Sequence, residues 1–410
     1  MHPLPKRKYM KTTDHLKKVL LLSLLATFPP LSTDMYLPAL PFLQKIWQQP
    51  MSTMNLTLVV FFVSYCLTLV MYGPLSDRFG RRKPLLLGIA IYILASLFCA
   101  FSGNIYSLII FRILQAAGAS SASVISMAIT KDLYEGYERQ RLLGYMGVIM
   151  ALAPMLAPVL GAWIMTYFSW PWIFICQGAI GFVAWAGVFF MEEPLKELSV
   201  SGVRATAGMY LQLLHNKSYL GMVVLFSLIV FPHFSFIGSA ADIYINTFGT
   251  SEQVFGYFFA FNAFSIMAGS FAFTRLHKRI ESRKLLTISF AGILLGGLLM
   301  RSALFSGPWT LALPMALVSF FFGCSRPPSN NLILEQVDHG AGTASSFMIL
   351  VYFMIGAFSM WFIALDWINK VHVISLLAIF SGGIVLSFWL LVSTRSHPDT
   401  NPTKSGRENR

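Results

Sequence analysis

Apolar residues recur along the chain in runs of about 20, the length that crosses a bilayer as a helix, and short polar or basic clusters separate the runs. They predict spans at 19–40, 54–74, 85–103, 105–130, 142–166 and 170–191, then at 218–241, 252–274, 285–305, 309–333, 342–365 and 371–393. The longest polar interruption, MEEPLKELSVSGVRATAGMYLQLLHNK from Met191 to Lys217, falls near the midpoint and reads as a linker between two sets of six. The predicted organisation is a segment 1–18, a bundle 19–191, a linker 192–217, a second bundle 218–393 and a tail 394–410.

Composition agrees with that class. The 410 residues are 56% hydrophobic and 11% charged, where a soluble domain carries about 25% charge. The formal net charge of +13 would suit nucleic acid if the basic residues shared one face. Instead they cluster between apolar runs, at Lys6 to Lys18, Arg78 to Lys83, Lys131 to Arg141, Lys196 to Lys217, Arg275 to Lys284 and Arg395 to Arg410, while the alternate connections keep Lys45, Arg301 and Lys370. Lys and Arg are retained on the cytoplasmic side, so the pattern predicts an even number of spans with both termini in the cytoplasm. KRKYMKTTDHLKK followed by VLLLSLLATF imitates a secretory signal, but no small-residue cleavage site follows, so it reads as an uncleaved first helix.

Cys66, Cys99, Cys176 and Cys324 all fall inside predicted spans without metal-ligand spacing, so no disulfide framework and no metal site is expected. The chain lacks a G-x-x-x-x-G-K-[ST] phosphate loop, an H-E-x-x-H site and a G-x-S-x-G serine. A secondary carrier, not an enzyme, is the expectation, with no cofactor. Its partners are a small-molecule substrate, protons and the lipid bilayer; nucleic acid is not among them, and the chain is expected to act as a monomer.

Several segments carry a family resemblance. GPLSDRFGRRKP, from Gly73 to Pro84, resembles the signature loop G-x-L-x-D-R-x-G-R-[RK] of the major facilitator superfamily. Arg112, Gln115 and Gly118 resemble its R-x-x-Q-[GA]-x-G-A element, and Pro154, Pro158 and Gly161 its proline-and-glycine antiporter element. DMYLPALP, from Asp34 to Pro41, is similar to the D-x-Y-L-P-A-L-P of Bcr/CflA-type drug:proton antiporters, and Phe255-Gly256, Asn262 and His339 to Ser345 extend the likeness. It implies an all-α membrane protein of twelve transmembrane helices, two six-helix pseudo-symmetric bundles in the major facilitator fold. It implies proton-coupled efflux of drugs or other small amphipathic compounds by alternating access in the inner membrane of a bacterium, with the proton gradient as energy source. Siderophore or metabolite transport by the same fold is the alternative, and a non-transporting membrane sensor or assembly partner is the reading from another class.

The resemblance also distributes roles. Gly73, Asp77, Arg78, Gly80, Arg81 and Arg82 form a conformational switch loop, the glycines permitting the turn and Asp77 facing the start of span 11 at Gly340 to Thr343. Asp34 is the expected proton-coupling group with Arg112 as its electrostatic counterpart: Asp34 lies roughly 9 Å and Arg112 roughly 10 Å inside the outer ends of their helices at 1.5 Å per residue. Arg112 as a snorkelling anchor, or the two as a purely structural ion pair, are the blander readings. Tyr36, Gln115, His233, Asn262 and Arg326 are candidates for the substrate cavity. His233 and Arg326, with Pro171 where the family has Arg, depart from the family pattern, and His233 following Pro232 also suits plain packing. Asp132 and Asp242, at helix edges, are the reserve proton acceptors.

Overall fold

The structure is a computed structural model that describes residues 12–195, 203–302, 304–337 and 341–395. Among the described residues ten helices are individually long and apolar enough to cross a membrane, and two bent helix pairs raise the number to twelve. The chain runs through α1 (Thr12–Ala26), α2 (Phe28–Asp34) and, after a tight turn at Leu37–Ala39, α3 (Leu40–Trp47). It continues with α4 (Met51–Phe79), α5 (Arg82–Ala100), α6 (Ile105–Leu133), α7 (Gly136–Tyr167) and α8 (Pro171–Phe189). A linker helix α9 (Val203–His215) leads to α10 (Lys217–Ser227) and α11 (Val230–Ala241), then α12 (Glu252–Leu276), α13 (Ser282–Arg301), α14 (Trp309–Leu334), α15 (Ala341–Ile363) and α16 (Lys370–Arg395).

The first and seventh spans are predicted as single helices and are instead broken at matching points, bent by 47° and 40°. Proline explains both. Pro29 and Pro30 have no N–H to offer the preceding turn, and Pro232 removes the donor that Leu228 would use, so each helix stops and restarts. At the seventh-span break Phe231 donates to the freed Leu228 carbonyl at 3.1 Å, and at the first Thr27 tightens the turn by donating its N–H and its hydroxyl to the Leu24 carbonyl, at 3.1 and 2.7 Å.

Within the first six spans α6 packs on α4 and α5, and α8 packs on α5; in the last six, α14 packs on α12 and α13, and α16 on α13. The two sets meet where α7 lies on α12 and α4 on α15. At the end away from the signature loop three hydrogen bonds join them: Asn55 Nδ2 to the Gly238 carbonyl at 2.8 Å, Asn246 Nδ2 to Gln44 Oε1 at 3.2 Å, and Gln253 Nε2 to Thr166 Oγ1 at 2.5 Å. Gly256 makes the α7–α12 approach possible, because a side chain there would meet the Val159 Cα at 3.2 Å and the Pro158 carbonyl oxygen at 3.3 Å. That end of the molecule is closed.

Candidate functional site

A cavity of about 170 Å³ lies between the two sets of spans. Pro29, Pro30, Thr33 and Asp34 of the broken first span and Pro154 of α7 form one wall. His233, Phe234 and Ile237 of the broken seventh span, with Asn262 of α12, form the other. Phe62 and Phe353 cover it, their rings stacked at 5.4 Å between centroids. The breaks therefore do structural work, since each brings helix-interrupting residues and one ionisable side chain to the same apolar chamber.

Asp34 is 6% exposed and ends α2. Its Oδ1 accepts from Thr33 Oγ1 at 2.8 Å, and among the described residues its carboxyl enters no ion pair. Arg112 does not reach it, contrary to the contact expected from their common depth. The guanidinium is fully buried on the other side of the first span, where Nη1 donates to the Ser32 carbonyl at 2.9 Å and to Gln115 Oε1 at 2.7 Å, and the group lies 4.3 Å from the centre of the Phe61 ring. The reason is backbone chemistry. After Asp34 the chain tightens so that the Tyr36 N–H bonds Thr33, leaving the last carbonyls of α2 without helical partners. A cation at a helix C-terminus is favourable, and Arg112 supplies one. Gln177 Nε2 reaches the Leu31 carbonyl at 3.2 Å, while Gln115 Nε2 donates to Gln177 Oε1 and to Ser96 Oγ, both at 2.8 Å.

The remaining predicted residues divide. His233 and Asn262 line the cavity, and Asn262 Nδ2 donates to Ser319 Oγ at 2.9 Å. Tyr36 and Gln115 do not: both are fully buried within the first six spans, Tyr36 against Phe174 and Gln115 in the Arg112 network. Arg326 lies outside the cavity lining, with its guanidinium 4.1 Å over the Tyr352 ring. Gly161 places the first span, because a side chain there would come within 2.1 Å of the Met35 carbonyl oxygen, one residue beyond Asp34.

At the opposite end the signature segment is mostly helix. Of the two glycines expected to permit the turn, Gly73 lies inside α4; Gly80, with φ of 85°, is the residue that turns the chain. Arg81 then gathers three elements: Nη1 donates to Asp77 Oδ1 at 2.5 Å and Ser76 Oγ at 2.7 Å, and Nε to Asp132 Oδ2 at 2.7 Å. Burial pushes the Arg81 pKa down, but the Asp132 and Asp77 carboxylates outweigh it and hold it above its ordinary value. Asp132 and Asp242 are thus engaged elsewhere, the latter with Lys370 at 2.6 Å. Arg78 lies over the Phe79 ring at 5.4 Å, and Arg82 bonds the Phe189 carbonyl. Of the expected partner of Asp77, Gly340 lies outside the described residues.

Residues 22–360 match the model of the Major Facilitator Superfamily. The chain belongs to that family. It is 31% identical over 351 residues to the MFS-type transporter YdgK of Bacillus subtilis, covering 84% of this chain and 87% of the relative. It is 29% identical to the bicyclomycin resistance protein homolog of Haemophilus influenzae (83% and 86% covered) and 30% identical to the chloramphenicol resistance protein of Pseudomonas aeruginosa (82% and 80%). Among solved structures it superposes on the D-xylose-proton symporter with a TM-score of 0.73 at 15% identity, covering 93% and 96% of the two chains. A bacterial homolog of the lysosomal transporter Spinster, inward-facing, gives 0.69 at 12% identity, with 94% and 96% covered. The chain is therefore a secondary transporter with the major facilitator fold, a multi-pass membrane protein and not an enzyme, and its resemblance to Bcr/CflA-type efflux proteins extends over most of its length.

One member of the facilitator loop network escaped the sequence reading. Glu193 accepts from the backbone N–H groups of Arg81 at 2.8 Å and Arg82 at 3.0 Å, capping the start of α5 from the far end of α8. The signal was present as an acidic pair directly before Pro194, but only the fold reveals which helix start it meets.

Proposed function

We propose that this chain is a proton-coupled exporter of small amphipathic compounds in a bacterial inner membrane, with units 19–191 and 218–393 rocking about the central cavity. The observation that carries the proposal is Asp34: a carboxyl on the wall of an apolar chamber between the two sets of spans, held by one hydroxyl and, among the described residues, in no ion pair. Ionisable groups at membrane depth mark ion and substrate pathways. Thr33 occupies Oδ1, so Oδ2 is open to a proton arriving from the cavity. Proton entry at that oxygen from outside and its loss to the cytoplasm, exchanged for substrate moving outward, is the cycle this geometry suits. The basic clusters favour a cytoplasmic signature loop and cytoplasmic termini. On that orientation the closed end faces outward and the cavity serves the cytoplasmic side.

The names of the relatives favour drug efflux over siderophore movement, and the cavity with its intact loop network favours a working carrier over a sensor. The test is transport by the purified chain in proteoliposomes with an imposed pH gradient, using chloramphenicol, bicyclomycin, a cationic dye and a metal chelator. Gradient-driven movement of at least one drug, abolished by a protonophore, is the expected result. Movement of the chelator alone, or of nothing, overturns the reading.

A further inference from the structure

The second half carries a cation for which the proton cycle has no use. Arg326 lies seven residues along α14 from Ser319, the partner of cavity-lining Asn262, which puts it roughly 10 Å nearer the signature-loop end. It is half-buried, and among the described residues it makes no ion pair and no hydrogen bond. Its contacts are aromatic: the guanidinium lies 4.1 Å from the centre of the Tyr352 ring and 5.9 Å from that of Phe322. Phe322 links it to the cavity, because the ring of cavity-lining His233 stacks on Phe322 at 4.8 Å and 19°. The His233 Nδ1 is buried and likewise has no hydrogen-bond partner.

A guanidinium at membrane depth is costly unless its charge and its donors are used. A ring face offsets part of the charge but takes none of the five N–H donors. The planar fork they form matches the two oxygens of a carboxylate or related oxyanion. Arg112 is bonded by the protein on one arm, with a carbonyl and an amide oxygen both on Nη1, while its buried Nη2 has no partner. Arg326 has the same chemistry without the acceptors, beside a chamber walled by Phe62, Phe234 and Phe353. Asp34 stands on the opposite, first-half wall, so an anion at Arg326 is held away from the carboxyl that takes the proton.

We propose that Arg326 is the specificity-determining residue of the transport site and that the compounds carried best are amphipathic organic acids, with the apolar body in the aromatic chamber and the oxyanion on Arg326. The proposal rests on the reading of that cavity as the transport site. A lipid phosphate offers the same oxyanion chemistry, and the test separates the two sources.

The probes are three compounds of one size: 1-naphthylacetate, 1-naphthylacetamide and 1-naphthylmethylamine, which at neutral pH are an anion, a neutral molecule and a cation. Binding to the purified full-length chain is measured by equilibrium dialysis, and movement by proteoliposome uptake under a pH gradient. One charge-assisted bidentate contact is worth about 10-fold or more in affinity. The acid is therefore expected to bind at least about 10-fold more tightly than the amide, the ratio falling to about one in Arg326→Gln and to an intermediate value in Arg326→Lys. A wild-type ratio of one or below, or a ratio unchanged in Arg326→Gln, overturns the proposal; the second result assigns Arg326 to lipid. If Arg326→Gln does not fold, the wild-type ratio and that of Arg326→Lys still decide. Binding of the acid without gradient-driven movement of any probe sinks the exporter reading and leaves the anion site standing. Gradient-driven movement with no preference for the acid does the reverse.

Discussion

Arg112 and Arg326 sit in the corresponding fourth spans of the two halves, and they are treated in opposite ways. Arg112 is walled in by Phe61 and Tyr36 and its Nη1 is bonded to Ser32 and Gln115, so the protein fills one arm of the fork and leaves Nη2 buried without a partner. Among the described residues the Arg326 guanidinium meets rings and no hydrogen-bond acceptor. A charge satisfied internally fixes a conformation, whereas one left unsatisfied beside a cavity is available to something that enters. On the proposed reading the first half holds the broken span that carries Asp34, and the second meets the cargo.

The largest effect that follows is on the first half. Arg112→Met removes the donor from the Ser32 carbonyl and from Gln115 Oε1, and an unsatisfied buried acceptor costs about 1–3 kcal/mol. Its melting temperature in detergent should fall by several degrees and transport of every substrate should be lost together. A variant as stable as the wild type that merely changes substrate preference would show that the two arginines do not differ in kind.

Next in size is Asp34→Asn. The amide keeps the volume and can still meet Thr33 Oγ1 but cannot cycle a proton, so pH-gradient-driven transport should fall by about 10-fold or more, the scale of a lost proton-transfer group. Stability should stay near that of the wild type, in contrast to Arg112→Met. Proton-coupled transport at the wild-type rate would remove Asp34 from the mechanism and, given the Lys370 and Arg81 pairings of Asp242 and Asp132, direct attention to His233.

Much of this was legible in the sequence, and the failures share a cause. Run lengths gave twelve spans, and motif spacing singled out Asp34, Asp77 and Arg112, because hydrophobic period and motif are local properties. Depth along a helix is local too, and Arg112 does meet the first span, at the Ser32 carbonyl two residues before Asp34. The side of the first span that each faces is set by the break at Pro29 and Pro30 and the tightened turn at Tyr36, and depth alone cannot supply it. Tyr36 and Gln115 were misplaced for the same reason. Glu193 and Gln177 act on helix ends distant in sequence, at Arg81 and Leu31, so their partners emerge only from the packing.

The packing of α7 on the broken first span gives a smaller and more local test. A methyl group at Gly161 would lie 2.1 Å from the Met35 carbonyl oxygen, whereas Gly147 in the same helix has nothing within 4 Å of the corresponding position. Gly161→Ala should destabilise by about 1–3 kcal/mol through overpacking against the broken span. Gly147→Ala should be neutral or stabilising by up to about 1 kcal/mol, as for a glycine replaced inside a helix. Detergent melting curves of the two variants check this, and equal shifts would mean that α7 does not rest on the turn after Asp34.

The smallest effect concerns the signature loop, where the contrast between fixed and free charge appears once more. Arg81 is buried and shared among Ser76, Asp77 and Asp132, but the Asp77 side chain remains 44% exposed and ends a helix whose neighbour across the halves is α15. Asp77→Asn leaves Arg81 its bonds to Asp132 and Ser76, so the loop should keep its fold and substrate binding should be retained. What is lost is one partly solvated charge at a helix end, worth roughly 0.3–2 kcal/mol, enough to shift the balance of inward-open and outward-open forms several-fold. Cysteines introduced along Leu143 to Met150 of α7 and labelled with a thiol reagent from the signature-loop side should change their reactivity by that factor, with transport slowed in step. Unchanged labelling and unchanged transport would mean that Asp77 serves the loop alone, as Arg112 serves the first span, and has no part in moving the halves.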